Sequence, residues 1–229
     1  MKEEFNKFQE YLKPTFFIDC DSDIIQEFVK KYSNPADSIQ KQAIDLYYAV
    51  RDSIRYDPYC YNHSRESSKA SNALTVKKAW CVPKATVYAA CCRAIGIPAR
   101  LGFADVKNHL STARMRDWME SDVFCWHGYT LIYLNGKWIK TTPAFNIELC
   151  DKFGLKPLDF DGKNESIYHA FDKEGRQHME YVKDRGTFSD LPFELMTTSL
   201  RKLYPKLDED VYMGDFEKDV VDELKNRRP

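Results

Sequence analysis

Residues 80–100 constrain this chain more than any others. Trp80-Cys81-Val82-Pro83-Lys84-Ala85 leads into an apolar stripe at Ala85, Tyr88, Ala89, Cys92 and Ile95, and then into Gly96-Ile97-Pro98-Ala99-Arg100. The stripe has helical spacing from Pro83 onward. Gly96 is a left-handed C-terminal stop, with apolar Ile97 and then Pro98 behind it. The pattern predicts a helix with a clean start and a clean stop, and a single cysteine, Cys81, just ahead of it. A thiol so placed lies near backbone N–H groups and the positive end of the helix dipole, which favour the thiolate.

A second segment supplies a partner for that thiol. Residues 123–134 alternate like a strand, Asn135-Gly136 is a two-residue hairpin turn, and Lys137 to Thr142 returns. With a tight turn, Leu134 faces Lys137, Tyr133 faces Trp138 and Tyr129 faces Thr142. Opposed residues and residues two apart share a face. His127, Tyr129, Leu131, Tyr133, Trp138, Lys140 and Thr142 then project to one side, with Thr142 the diagonal neighbour of His127. Ala144 and Asn146 follow on that face if the strand continues. Cys81 and His127 read as a nucleophile and its base, and a base needs one ring nitrogen held by a third group.

The rest of the chain reads as one α+β domain over residues 1–229. The core spans about 36–150, an N-terminal arm and helix occupy 1–35, and a C-terminal extension occupies 151–229. Asp23 to Tyr32 reads as a short helix with Ile24, Phe28 and Tyr32 on one face. Asn34-Pro35 marks a second start, followed by Ile39, Ala43, Leu46, Tyr47, Val50 and Ile54 at helical spacing. Residues 57–71 read as a polar surface loop, Asn72 to Ala79 as a turn of helix, and 99–106 as a strand. Residues 107–121 read as loop or short helix. Gln177 to Val182 reads as a strand, Leu191 to Leu203 as a helix, and Lys206 to Pro229 as charged and helical or frayed.

Composition narrows the function classes. At 43% apolar and 14% aromatic the chain can bury a sizeable core. Lysine plus arginine is 34 against 35 aspartate plus glutamate, so no global charge draws it to nucleic acid or an anionic membrane. No apolar run reaches the roughly 18 residues of a membrane span, and Met1-Lys2-Glu3-Glu4 opens no signal-peptide stretch. A cytoplasmic protein with reduced thiols is expected. The seven cysteines, Cys20, Cys60, Cys81, Cys91, Cys92, Cys125 and Cys150, are odd in number and lack the spacing of a disulfide framework.

Three blocks in order resemble the transglutaminase-like superfamily. They are Tyr47-Tyr48-Ala49-Val50-Arg51-Asp52-Ser53-Ile54-Arg55-Tyr56-Asp57, the Cys81 helix running into Arg93–Arg100, and Trp126-His127-Gly128-Tyr129 with its return Gly136-Lys137-Trp138-Ile139-Lys140-Thr141-Thr142-Pro143. The resemblance covers roughly residues 40–146. It implies a papain-like core, a cysteine-bearing helix packed on an antiparallel sheet, and acyl transfer through a thioester. By motif, Cys81 is the nucleophile and His127 the base. The family usually carries aspartate directly before the proline, where this chain has Thr142. A threonine hydroxyl can accept a hydrogen bond from the ring but brings no charge. Asn146 and Asp105 are the alternative orienting groups.

The expected partner is a peptide or protein amide, with no cofactor and no oligomeric state indicated. Because Thr142 is neutral, a catalytically silent module that keeps the cleft for binding stands beside the enzyme reading. Cys60-x-x-His63 and Cys125-x-His127 lack the paired spacing of zinc ligands. Asp19, Asp21 and Asp23 alternate like calcium ligands, but Ile24 stands where the loop needs glycine, and a capped helix start is the better reading. Cys125, Trp126, Tyr129 and Trp138 read as packing side chains that could line a cleft. His63, His109, His169 and His178 carry no partner signal.

Overall fold

Helix α4 (Cys81–Ala94) is the post around which the molecule is arranged. Every residue from Cys81 to Arg93 is buried, so the helix has no solvent face, and the single stripe expected from its sequence is too narrow. It also begins at Cys81 itself rather than after it, with Trp80 as the flanking cap residue. Pro83 therefore falls in the first turn, where its missing N–H leaves no helical bond unmade. The stop is as expected: Gly96 has φ +79°, and the Ile97 N–H reaches back to the Cys92 carbonyl at 2.9 Å. The computed structural model describes residues 8–108, 111–167, 179–208 and 214–226. Residues 1–7 of the arm, His109, His169, Gln177, His178 and the Arg227-Arg228 end lie outside the described residues.

Helices α1 (Asp23–Tyr32), α2 (Ile39–Ser53) and α3 (Ala70–Val76) pack on one side of α4. The buried face of α1 is Ile25 and Val29. Ile24, expected on that face, is 43% exposed, because the core-facing stripe is rotated by one residue. α2 starts at Ile39, not at Asn34-Pro35. Ser38 is its cap, accepting the Lys41 N–H at 3.2 Å, while Asn34 makes a local turn onto the Ala36 N–H. The expected inward residues Ala43, Leu46, Tyr47, Val50 and Ile54 are fully buried, but Ile39 is exposed. Short strands β1 (Arg55–Tyr56) and β2 (Lys78–Ala79) pair in parallel and deliver the chain to Cys81. The loop between them is less superficial than its polarity suggests, since Pro58, Tyr59 and Tyr61 are buried.

On the other side lies an antiparallel sheet of order β5-β4-β3-β6. Its strands are β3 (Ala99–Asn108), β4 (Val123–Leu134), β5 (Lys137–Thr141) and β6 (Met179–Phe188). The hairpin register is the one counted from sequence: Leu134 opposes Lys137, Tyr133 opposes Trp138 and Thr130 opposes Thr141. Asn135 and Gly136 take φ +52° and +82°, the paired left-handed residues of a type I′ turn. The arm packs against the outer face, where Phe8 and Tyr11 meet Tyr133 and Trp138. Helices α5 (Ala113–Met119), α6 (Ile147–Phe153), α7 (Phe193–Leu203) and α8 (Phe216–Asn226) complete the described elements. No helix among the described residues is long and apolar enough to cross a membrane.

Candidate active site

The docking of β4 on α4 sets the site. A Cβ at Gly128 would lie 2.9 Å from the Val82 side chain, so only glycine lets the strand come this close. One step along, the Thr130 hydroxyl donates to the Ala85 carbonyl at 2.8 Å. With position 128 against 82 and 130 against 85, the preceding residues, His127 and Cys81, come to the same end of the contact. Both line one cavity of about 70 Å³. Its walls include Tyr56, Trp80, Met115, Trp118, Met119 and Cys125, an almost wholly apolar set. Cys81 is 7% and His127 5% exposed.

Burial dominates the acidity of the thiol. It pushes Cys81 up to about 11, against the pull of the backbone N–H groups of Gly128, Val82 and Cys81 itself. Trp80 provides no side-chain cap, so these first-turn donors are available to the sulfur. The helix start thus does what its sequence suggests, but desolvation of the buried thiol outweighs it. The resting group is a thiol, not the thiolate expected from the helix dipole.

Thr142 shares a second, smaller cavity with His127, walled by Ala144, Phe145, Leu158, Ile167 and Met179. Its hydroxyl donates to the Ile167 carbonyl at 2.8 Å, which leaves its oxygen lone pairs as acceptors. The residue is fixed from behind. Thr142 N–H donates to the Ser166 carbonyl at 2.6 Å, Thr141 bridges Ser166 in parallel, and Tyr47 donates to the Thr142 carbonyl at 3.2 Å. The two alternative orienting groups are committed elsewhere. Asn146 accepts the Tyr56 N–H at 3.0 Å and donates to Glu148. Asp105 is bound by Arg185 and by the Trp126 N–H.

Several contributors escape the sequence pattern. Leu200, Tyr204 and Leu207, from α7 and the segment after it, line the Cys81 cavity. Tyr204 donates to the Val123 carbonyl at 2.9 Å and accepts the Cys125 N–H at 2.6 Å, pinning the extension to β4 two residues from His127. Lys84 is wholly buried one turn beyond Cys81. Its ammonium donates to the carbonyls of Arg51 (2.7 Å) and Ile54 at the end of α2, and burial lowers its pKa to about 7. A lysine inside an apolar helix was the one available signal. His63, without a partner in sequence terms, lies 2.7 Å from Asp208. Among the described residues no cluster of three or more histidine, cysteine, aspartate or glutamate side chains could hold a metal, and Asp19 instead accepts the Ser71 N–H at 3.1 Å.

Comparison with known proteins agrees with this arrangement. The family model for the transglutaminase-like superfamily matches residues 23–143, a span that holds Cys81, His127 and Thr142 but not the extension. No curated protein matches the chain. Among solved structures, the crystal structure of a putative cysteine protease from Cytophaga hutchinsonii is similar, with a TM-score of 0.52 and 15% identity. The match covers 83% of this chain and 50% of that one, so the chain spans about half the length of the protein it resembles. That likeness shows the fold, an α+β papain-like core with the cysteine helix against an antiparallel sheet. By its matched residues and its fold, the chain belongs to the transglutaminase-like superfamily.

Proposed function

We propose that the chain is a cysteine-dependent acyl-transfer enzyme acting on an amide or peptide bond. The observation that carries this is the meeting of Cys81, at the first residue of α4, with His127 in one buried apolar cavity. Because the thiol rests protonated, His127 acts as a general base during attack rather than as half of a preformed ion pair. The Cys81 sulfur bonds to the substrate carbonyl carbon as its proton passes to His127. The oxyanion is held by the Cys81 backbone N–H. Tyr56, which lines the cavity and stays protonated because burial raises its pKa, supplies a second donor. The C–N bond then breaks, and His127 returns the proton to the leaving amine. Water, activated by the same ring, cleaves the thioester to a carboxylic acid and restores the thiol; an amine acceptor would instead form a new amide. Hydrolysis is the favoured outcome because water is the commoner acceptor. The apolar walls suit an uncharged apolar group beside the reacting carbonyl. Thr142 orients the ring.

A screen of peptide and amide substrates, with Cys81→Ala as the blank, tests the proposal. Product release should fall by at least about 10³-fold in the variant, and an acid quench should trap an acyl adduct on Cys81. A second reading, a silent binding module, is favoured by one observation: Leu200, Tyr204 and Leu207 from the extension line the cavity beside Cys81. That reading predicts ligands that raise the melting temperature of wild type and Cys81→Ala alike, with no adduct and no product.

A further inference from the structure

The register shifts of the sheet gather at residues 103–106 of β3, beside His127. Between Ala104↔His127 and Val106↔Phe124, a single residue of β3 (Asp105) stands against two of β4 (Cys125 and Trp126). The pairing of β3 with β6 shifts there twice: Phe103 opposes Gly186 and Ala104 opposes Asp184, leaving Arg185 extra, and Asp105 opposes Lys183 while Val106 opposes Tyr181, leaving Val182 extra. Bulges of this kind re-aim side chains. Here they aim Asp105 and Arg185 at each other. The Arg185 guanidinium forks onto the carboxylate, Nε to Oδ1 at 2.9 Å and an Nη to Oδ2 at 2.7 Å. Asp105 Oδ1 also accepts the backbone N–H of Trp126 at 3.1 Å. Arg185 lies over the Trp126 ring, 5.3 Å from its centroid.

Trp126 is what these groups hold. It has φ +61°, a left-handed conformation that a bulky side chain rarely takes unless its surroundings impose it. Its ring packs in the core with Phe103 and Phe188, which also touch each other, as a cluster of three rings. The residue after it is His127. A change of φ at Trp126 would redirect the backbone that enters His127 at the edge of the bulge, where His127 opposes Ala104 and Gly128 opposes Phe103. Asp105 has both its oxygens on Arg185 and one also on the Trp126 amide.

We propose that Asp105 and Arg185 form a positioning pair that locks Trp126 in its left-handed conformation and so fixes the direction of the His127 ring in the cavity. The carboxylate acts through the backbone of the preceding residue, not through the imidazole. This rests on the reading of His127 as the base, but ring orientation can be measured without turnover.

The test uses the full chain labelled with ¹⁵N-histidine, with His127 assigned by its loss in His127→Gln. Long-range ¹H–¹⁵N spectra at fixed pH should show a single imidazole tautomer in wild type and an averaged one in Asp105→Ala and Arg185→Met. Arg185→Lys, which keeps the charge but loses the fork, should fall between. In parallel, the burst of p-nitrophenolate from p-nitrophenyl butyrate should drop by about 10- to 100-fold in Asp105→Ala. If both variants lose thermal stability yet keep the wild-type His127 signals, the pair is merely structural and the proposal is overturned. If Asp105→Ala does not fold, Arg185→Met and Arg185→Lys decide on the same readout. A burst unchanged by His127→Gln would sink the role of His127 as base, and the tautomer pattern would still decide the positioning role.

Discussion

The two halves of strand β4 differ in kind. Residues 128–134 keep unbroken register, 128–132 with β3 and 130–134 with β5, and end in a type I′ turn. Residues 123–127 hold a bulge and a left-handed tryptophan, lie against the partly buried Asp105–Arg185 ion pair of the neighbouring strands, and have a tyrosine from outside the sheet completing their backbone hydrogen bonds. The regular half packs on α4 and anchors the fold. The irregular half keeps Trp126 in a conformation that costs about 1–3 kcal/mol, and the Asp105–Arg185 pair beside it is only partly buried. One strand thus separates stability from aim, and the boundary between the two falls at His127 and Gly128.

The sharpest way to break that division is Gly128→Val. The added carbon meets Val82 at 2.9 Å from a side-chain atom and 3.0 Å from its Cα, so α4 must move and Cys81 with it. Stability should fall at the upper end of the roughly 1–3 kcal/mol that overpacking costs, and acyl transfer should fall by about 100-fold. Gly102→Ala is the control in the regular region. Its Cβ would lie 2.3 Å from the Tyr129 ring, on the face away from α4. Urea denaturation should show a comparable loss there, with esterase bursts scaling only with the folded fraction. Equal activity losses per unit of stability would dissolve the distinction between the halves.

A smaller effect is expected at Thr142. Thr142→Val keeps the shape and removes the acceptor next to His127, so turnover should drop about tenfold with a modest change in melting temperature. Thr142→Asp restores the family's usual carboxylate but faces the Ile167 carbonyl that the hydroxyl now donates to. It should lose stability while recovering or exceeding wild-type turnover. A silent variant with intact folding would mean that the ring is oriented from the bulged side alone.

Moving from the strand to the helix, Lys84 should leave a signature in pH. Its folded pKa, near 7, lies below the ordinary lysine value of 10.5. The unfolded chain therefore binds more protons between those values, and stability rises with pH across that window. Buried cysteines and tyrosines act in the opposite direction at the alkaline end, since burial raises their pKa values. The readable quantity is the difference between wild type and Lys84→Met in melting temperature from pH 7 to 9. That difference should shift in favour of wild type as pH rises. A flat difference would mean that the ammonium keeps its proton throughout, held by the Arg51 and Ile54 carbonyls.

What was legible in the sequence follows the same division. The hairpin, its register and the helix stop at Gly96 are local: a turn type or a cap depends on residues adjacent in the chain, and those patterns read true. The juxtaposition of Cys81 and His127 came through resemblance, since no periodicity can dock a helix on a strand. The bulge did not show, because Asp105, Trp126 and Arg185 meet only once three strands are assembled. Nor did the burial of α4. Its stripe predicted one core-facing side, whereas the sheet and helices α1 to α3 together cover it all round. The thiolate expectation failed for that reason. A helix start was visible in sequence, but the desolvation that outweighs it was supplied by the extension and the sheet.

Tyr204→Phe is the smallest of these perturbations and the most specific to the irregular half. The hydroxyl stands in for a strand partner, donating to Val123 and accepting from Cys125. Losing it leaves the Cys125 N–H without that acceptor and should cost about 1–2 kcal/mol. The change also loosens the segment that places Leu200 and Leu207 over the Cys81 cavity. Hydrogen exchange at residues 123–127 should accelerate while residues 128–134 stay protected, and alkylation of Cys81 by iodoacetamide should speed up severalfold. Uniform loss of protection along β4 would show that the strand opens as one unit. The extension would then be a brace for the whole sheet rather than a cover for the cavity.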